Sequence, residues 1–133
     1  FCDCNYLKKI NDFYGHDMGD QYIIKAFEVL REAAEEDSVI IRWGGDEFLM
    51  ITPHCNKTVH EKMIEKIKRS QTKLAVIKPE MGLAVGGEIR ETLDVPESEV
   101  SRQADHNMYK EKEFMHAVNF RIKDCMDKKS EGL

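Results

Sequence analysis

The sequence is poor in the features that mark linkers, repeats and membrane spans. Its 133 residues contain three prolines and eight glycines, and no internal repeat or low-complexity stretch is visible. No apolar run approaches the roughly 20 residues that a membrane-spanning helix needs. A chain of this size and ordinary composition predicts a single soluble domain with a substantial core.

Cysteine and positive charge are limited as well. The four cysteines, Cys2, Cys4, Cys55 and Cys125, have neither CxxC spacing nor the density of a disulfide scaffold, so we expect reduced thiols in a cytoplasmic protein. The 20 Lys and Arg residues are outnumbered by 25 Asp and Glu, and the basic residues are dispersed along the chain. This pattern argues against a surface for DNA or RNA, and it leaves open a small anionic ligand bound through a metal.

The most informative stretch is a predicted β-hairpin in the first half of the chain. Short apolar runs at residues 39–41 and 48–51 flank Gly44 and Gly45. Glycine reaches positive φ without a Cβ clash, which predicts a sharp turn whose backbone can approach a ligand. Asp46 and Glu47 follow at the tip. Because adjacent acids repel each other, their presence here favours cation binding or proton transfer over a purely structural turn.

The remaining pattern predicts strands alternating with helices. Helical spacing predicts helices over residues 6–14, from 21 to about 36, 58–70, and from 97 to about 114. In the second of these, Ile23, Phe27, Leu30 and Ala34 are expected to face inward. Apolar runs predict further strands at 1–5, 74–77, 81–85 and, at an edge, 118–122, followed by a polar tail over 124–133.

This order of elements favours an α/β (α+β) fold. We expect a mixed central sheet with flanking helices, a ferredoxin-like or nucleotide-cyclase-like core, and an antiparallel hairpin that carries the two glycines.

Three stretches, in the correct order from Asp3 to Lys112, resemble the motifs of GGDEF domains. They are Asp3-x-Asn5-x-Leu7-Lys8-x-x-Asn11-Asp12-x-x-Gly15-His16-x-x-Gly19-Asp20, then Arg42-x-Gly44-Gly45-Asp46-Glu47-Phe48, and finally Ala104-Asp105-x-x-Met108-Tyr109-x-x-Lys112. The chain is therefore identified as a member of the GGDEF, or diguanylate cyclase, family. Residues 1–123 would form a GGDEF domain without the family's first helix and the start of its first strand.

The resemblance implies an activity and its partners. Two GTP molecules, one on each of two domains, would be joined into cyclic di-GMP with release of two pyrophosphates. The implied requirements are Mg²⁺ or Mn²⁺ and a second GGDEF domain in a transient homodimer. The chain begins at Phe1 without a methionine or signal peptide, so we interpret it as part of a longer protein with an N-terminal sensory or regulatory domain.

The resemblance also implies a metal and reaction centre. Asp3 and Asp46 match the family's metal carboxylates, with the Cys4 backbone carbonyl assisting. Glu47 matches a second contact to metal or to the substrate hydroxyl. Hard oxygen ligands of this kind suit Mg²⁺. Asp46, Glu47 and Lys8 are the residues expected to take part in catalysis, and whether Asp46 removes the 3'-proton stays open.

The nucleotide contacts implied by the resemblance lie in the first and last motifs. Asn11 and Asp20 match guanine-binding positions; the alternatives are a helix-end cap for Asn11 and an N-cap for Asp20. The expected phosphate contacts are Lys8, Lys112 and the backbone N–H groups of Tyr6 and Leu7, although each lysine alone also fits a solvated surface residue.

Four further residues have expected structural roles. We expect His16 to shape the connection between the first two helices, Arg42 to brace the hairpin or pair with a nearby acid, and Trp43 and Phe48 to anchor the hairpin in the core.

The sequence departs from the family pattern at both ends of the site. Asn5 replaces a usual acid, Tyr6 and Leu7 replace two usual aromatics, and Met115-His116-Ala117 replaces Gly-Arg-Asn. Loss of the arginine would cost roughly 1.5 to 3 kcal/mol of phosphate binding. This departure supports an alternative function, a weak or inactive GTP-binding module that regulates a partner.

A feedback site for the product is not expected. The family's inhibitory Arg-x-x-Asp is replaced by acidic residues and serine at 35–38, a charge pattern that would repel a bis-phosphate.

Overall fold

The computed structural model describes residues 1–131, with side chains placed for all of these except 122, 124–127 and 129–131. Four strands form one sheet in the spatial order β2-β3-β1-β4. The strands are β1 (Cys2–Cys4), β2 (Val39–Arg42), β3 (Glu47–Ile51) and β4 (Leu83–Val85). The α/β fold with flanking helices is confirmed. All three strand pairings are antiparallel, so the mixed strand directions expected from the sequence are not found among the described residues.

Five helices surround this sheet in the described part of the chain. They are α1 (Leu7–Tyr14), α2 (His16–Ala33), α3 (Lys57–Ser70), α4 (Thr72–Ala75) and α5 (Glu97–Glu131). Only Gly15 separates α1 from α2, and its φ of 89° lies in the left-handed region that a residue with a Cβ rarely adopts. None of the helices within residues 1–131 is apolar over a length sufficient for a membrane crossing.

The main core lies between one face of the sheet and helices α1 to α4. Cys2, Cys4 and Phe48 contribute from the strands, and Tyr22 and Leu30 are fully buried on α2. In the inward face predicted for α2, Leu30 is confirmed and Ile23 packs at the edge of the core, whereas the prediction for Phe27 is wrong because this side chain is 42% exposed.

Helix α5 covers the other face of the sheet. Side chains alternate along a strand, so Asp3 points away from the side that buries Cys2 and Cys4, and Lys112 of α5 contacts Asp3 there. The helix lies directly on the end of β4, since a Cβ on Gly86 would stand 1.9 Å from the backbone nitrogen of Met108. Glycine at position 86 is what permits this close approach.

Two predicted strands are not strands in the structure, since residues 74–75 belong to α4, 76–77 form a turn, and 118–122 are helical. Residues 74–77 do not pair with β4 because the Gln71 side chain occupies that edge, where its amide donates to the Leu83 carbonyl at 2.6 Å. Residues 118–122 continue α5, which meets no proline or glycine between Glu97 and Glu131. The expected tail over 124–131 is part of the same helix, and residues 132–133 lie outside the described residues.

Candidate functional site

Three carboxylates meet where β1 pairs with the hairpin. Asp3 lies opposite Glu47 in the antiparallel register, and the Cys4 amide donates to the Asp46 carbonyl at 2.7 Å. One carboxylate oxygen from each of Asp3, Asp46 and Glu47 lies within 4.8 Å of the others. The pairing of the two strands thus brings Asp3 together with two adjacent acids that lie more than 40 positions further along the chain.

The hairpin turn is closed by backbone contacts and one side chain. The amides of Trp43 and Gly44 donate to the Glu47 carbonyl at 2.9 and 3.3 Å, and Arg42 Nη2 donates to the Gly45 carbonyl at 2.7 Å. The expectation that Arg42 braces the hairpin is confirmed. Positive φ at Gly44 and Gly45 is not observed. Instead the glycines leave space, since a Cβ at Gly45 would meet no atom within 4 Å.

The two aromatic residues of the hairpin have different environments. Phe48 is 2% exposed in the core, as expected. Trp43 is 61% exposed at the turn, so its predicted role as a core anchor is wrong. The reason is geometric. Phe48 belongs to β3, whose core-facing side is covered by helices, whereas Trp43 lies beyond the end of β2.

The electrostatics of the carboxylates favour a cation. Asp3 is almost fully buried, and its Oδ1 forms an ion pair with Lys112 Nζ at 3.3 Å. Burial, with repulsion from Asp46, raises the pKa of Asp3, and Lys112 opposes this only in part. Burial, followed by repulsion from Asp3, Asp46 and Asp105, also raises the pKa of Glu47. An all-oxygen donor set of three carboxylates that repel one another fits Mg²⁺ or Mn²⁺.

A second set of residues lies between α1 and α2. The Asn11 side chain packs against Gly19, where a Cβ would stand 1.7 Å from Asn11 Oδ1. That oxygen is buried and accepts no hydrogen bond, and the exposed Asp20 is the next residue of α2. Because α2 begins at His16, Asp20 is inside the helix, and the alternative of an N-cap is excluded. The helix pair therefore places the two predicted guanine contacts near each other.

The beginning of α1 is available to an anion. No side chain caps the helix, so the N–H groups of its first turn have no partner within it. Tyr6, at the N-cap, has φ 60° and ψ 24°, and Leu7 and Lys8 follow in the first turn. Lys8 is exposed, whereas Lys112 is paired with Asp3.

Some contacts that shape this site cannot be predicted from the sequence. The buried Tyr22 hydroxyl lies 3.0 Å from the Asn5 carbonyl and 2.6 Å from the Gly82 carbonyl, holding the end of β1 against the residue before β4. His116 stacks on Tyr6, with ring centroids 4.6 Å apart. No local signal reveals these contacts, because each joins distant segments.

Comparisons with known proteins agree with this geometry. A family model described as diguanylate cyclase, GGDEF domain, matches residues 1–117. The diguanylate cyclase VdcA of Vibrio cholerae is 34% identical over 84 residues, which are 63% of this chain and 25% of that protein. The cyclic di-GMP phosphodiesterase PdeR of Escherichia coli is 30% identical over 116 residues, which are 85% of this chain and 18% of that protein.

A solved structure is similar as well. The GGDEF domain of DgcB from Caulobacter crescentus, in complex with c-di-GMP, has a TM-score of 0.71 and 25% identity, over 84% of this chain and 69% of that one. The chain spans about a quarter of the length of VdcA and less than a fifth of the length of PdeR.

Proposed function

Because the chain belongs to the GGDEF family of diguanylate cyclase domains, we propose that it condenses two GTP molecules into cyclic di-GMP and two pyrophosphates. The observation that carries the proposal is the convergence of Asp3, Asp46 and Glu47 within 4.8 Å. Asp3 lies in β1, Glu47 in β3 and Asp46 in the turn just before β3, and α1 with its uncapped start follows β1 in the chain. This combination offers ligands for a cation and N–H donors for phosphate in one place.

A divalent cation, Mg²⁺ or Mn²⁺, when bound by Asp3 and Asp46 with the Cys4 carbonyl, would neutralise charge on the reacting phosphate and acidify the attacking 3'-hydroxyl. Glu47 would contact that hydroxyl or a second metal. The first-turn N–H groups of α1, Lys8 and Lys112 would hold the phosphates.

Guanine would be bound between α1 and α2. Asp20 is an exposed carboxylate that can accept hydrogen bonds from guanine N1 and N2, and adenine offers no such pair of donors. The Asn11 amide, held against Gly19, would complete the recognition. These contacts support GTP rather than ATP as the substrate, and a cytoplasmic location follows from that substrate.

Each domain would bind one GTP, so the reaction needs two domains facing each other. The proposed partner is a second copy in a transient homodimer, brought together by a sensory or regulatory domain elsewhere in the protein. Activity should then rise more steeply than in proportion to protein concentration until the dimer is saturated.

A second candidate is a GTP-binding module with weak or absent catalysis that regulates a partner. It is favoured by the replacement of the expected phosphate-binding arginine by His116. It is also favoured by the similarity to PdeR, which is a phosphodiesterase.

Product analysis separates the two candidates. The full-length protein is incubated at high concentration with GTP and Mg²⁺, and cyclic di-GMP is measured by liquid chromatography and mass spectrometry, with Asp46→Asn as the inactive control. We expect product from GTP and none from ATP. GTP binding by calorimetry without product would support the regulatory module, and absence of both binding and product would refute both candidates.

A further inference from the structure

One face of α5 contacts the end of β1 and the turn after it, residue by residue. Lys112, Met115 and His116 are spaced i, i+3, i+4 and therefore share a face of the helix. Lys112 Nζ lies 3.3 Å from Asp3 Oδ1. Asn5 Nδ2 donates to Met115 Sδ at 3.4 Å. The His116 ring stacks on Tyr6 at 4.6 Å, with an interplanar angle of 16°.

Two of these three contacts join α5 to the turn across 110 positions of sequence. Asn5 touches Met115, and Tyr6 touches His116. Helix α5 therefore supports the turn by packing and by ring stacking.

The turn needs this support because of its backbone conformation. Tyr6 has φ 60°, in the left-handed region, which is unfavourable for a residue with a Cβ. A left-handed residue followed by helical ones also turns successive N–H groups toward a common point, the arrangement that binds anions. The strained conformation therefore coincides with the expected phosphate contact, and the flat face of His116 covers the Tyr6 ring.

The environment of His116 does not suit a direct phosphate contact. Its Nε2 is buried and has no hydrogen-bond partner. Burial, and then the nearby Lys112, lower the pKa of the imidazole, which favours its neutral form. A neutral ring with a buried nitrogen can stack on Tyr6, and it cannot replace the charge of an arginine.

We propose that His116 is a positioning residue, which stacks on Tyr6 and holds the turn between β1 and α1 in the left-handed conformation that presents its N–H groups to a phosphate. The identity of that phosphate as part of GTP rests on the function proposed above. The effect of the stack on the turn is independent of that function.

Nucleotide binding distinguishes a stacking residue from a charged one. GTP affinity is measured by calorimetry with Mg²⁺ for the full-length protein and for His116→Phe, His116→Ala and His106→Ala, the last an exposed histidine on the same helix. We expect wild-type affinity within twofold for His116→Phe and His106→Ala. Loss of the stack in His116→Ala should weaken binding roughly two- to tenfold. Equal losses in the Phe and Ala variants would overturn the proposal, as would no loss in either.

A glycine at position 6 supplies a second test. Glycine adopts positive φ without strain, so a Tyr6→Gly protein no longer needs the stack. In that background, adding His116→Ala should change GTP affinity by less than twofold. A full additional loss would contradict a role that acts through Tyr6.

The φ angle of Tyr6, measured in the absence of nucleotide, tests directly whether His116 holds the turn. NMR chemical shifts and coupling constants of the nucleotide-free protein should give a left-handed Tyr6 in the wild type and in His116→Phe, and an averaged conformation in His116→Ala. A left-handed Tyr6 in His116→Ala would refute the inference even if GTP binds. If the wild-type protein does not bind GTP while the backbone result holds, the proposed function fails and the role of the stack stands.

Discussion

Replacement of Gly19 by alanine should affect stability and nucleotide binding in opposite directions. Gly19 lies inside α2, where alanine is favoured over glycine by about 0.8 to 1.0 kcal/mol. The added Cβ would stand 1.7 Å from Asn11 Oδ1, far inside van der Waals contact. The clashing atom is the end of a side chain, so rotation of Asn11 can relieve the overlap while α2 keeps its place.

Two magnitudes follow from this geometry. The helix gains up to about 1 kcal/mol from alanine, less the cost of moving Asn11, so the melting temperature should stay unchanged or rise by a few degrees. GTP should bind more weakly by roughly 1 to 3 kcal/mol, because the displaced amide no longer meets the guanine. That loss corresponds to a factor of about 5 to 150 in the dissociation constant.

Calorimetric titration of GTP, together with thermal unfolding, measures both quantities on one sample of the Gly19→Ala protein. Asn11→Ala is the matched control and should lose a similar amount of GTP affinity. The double variant should lose no more than the larger single loss, because both changes remove the same contact. Wild-type GTP affinity in a folded Gly19→Ala protein would refute the guanine role of Asn11, and a fall of many degrees in melting temperature would refute the assumed freedom of its side chain.

Three other changes test the packing, the carboxylate centre and the regulation. Gly86→Ala should lower the melting temperature markedly, because the added Cβ would lie 1.9 Å from the Met108 backbone nitrogen, and a backbone atom cannot rotate away. Gly45→Ala is the control: its Cβ would meet no atom within 4 Å, so the melting temperature should change little. The raised pKa of Asp3 means that ionisation of this carboxyl opposes folding. The free energy of unfolding of the metal-free protein should therefore fall as pH rises above the ordinary pKa of an aspartate. Asp3→Asn should remove that fall, as measured by unfolding at a series of pH values. The same variant should lose the stabilisation that Mg²⁺ gives the wild type, and an unchanged Mg²⁺ effect would contradict the metal role of Asp3. Added cyclic di-GMP should not inhibit product formation through residues 35–38, so strong non-competitive inhibition that is abolished by mutating this segment would show the opposite.

Features that depend on neighbouring residues can be predicted from the sequence alone. Helix α3 was predicted at 58–70 and is found at 57–70, because its apolar period and its flanking residues are local. The hairpin was predicted from two apolar runs around Gly44 and Gly45, and β2 and β3 lie there. The residues of the carboxylate cluster also lie in the motifs that identified the family.

Tertiary structure decided what depends on contacts between distant segments. Gln71 occupies the edge of β4 through its side chain, which no strand pattern in 74–77 can reveal. The inward face of α2 is set by the helices and strands that surround it, and so Tyr22 is buried whereas Phe27, which we expected to face inward, is 42% exposed.

The turn between β1 and α1 also depends on contacts between distant segments. From the sequence alone, His116 stands where an arginine is expected, and the predicted effect is the loss of a positive charge from the phosphate site. In the fold it lies against Tyr6, a residue 110 positions away, and beside Met115, which contacts Asn5. A contact of this kind depends on how α5 crosses the sheet, and that crossing is fixed by the close approach of Met108 to Gly86. Local chemistry thus determined which residues could form the site, and only the packing of α5 on the sheet determined what His116 does there.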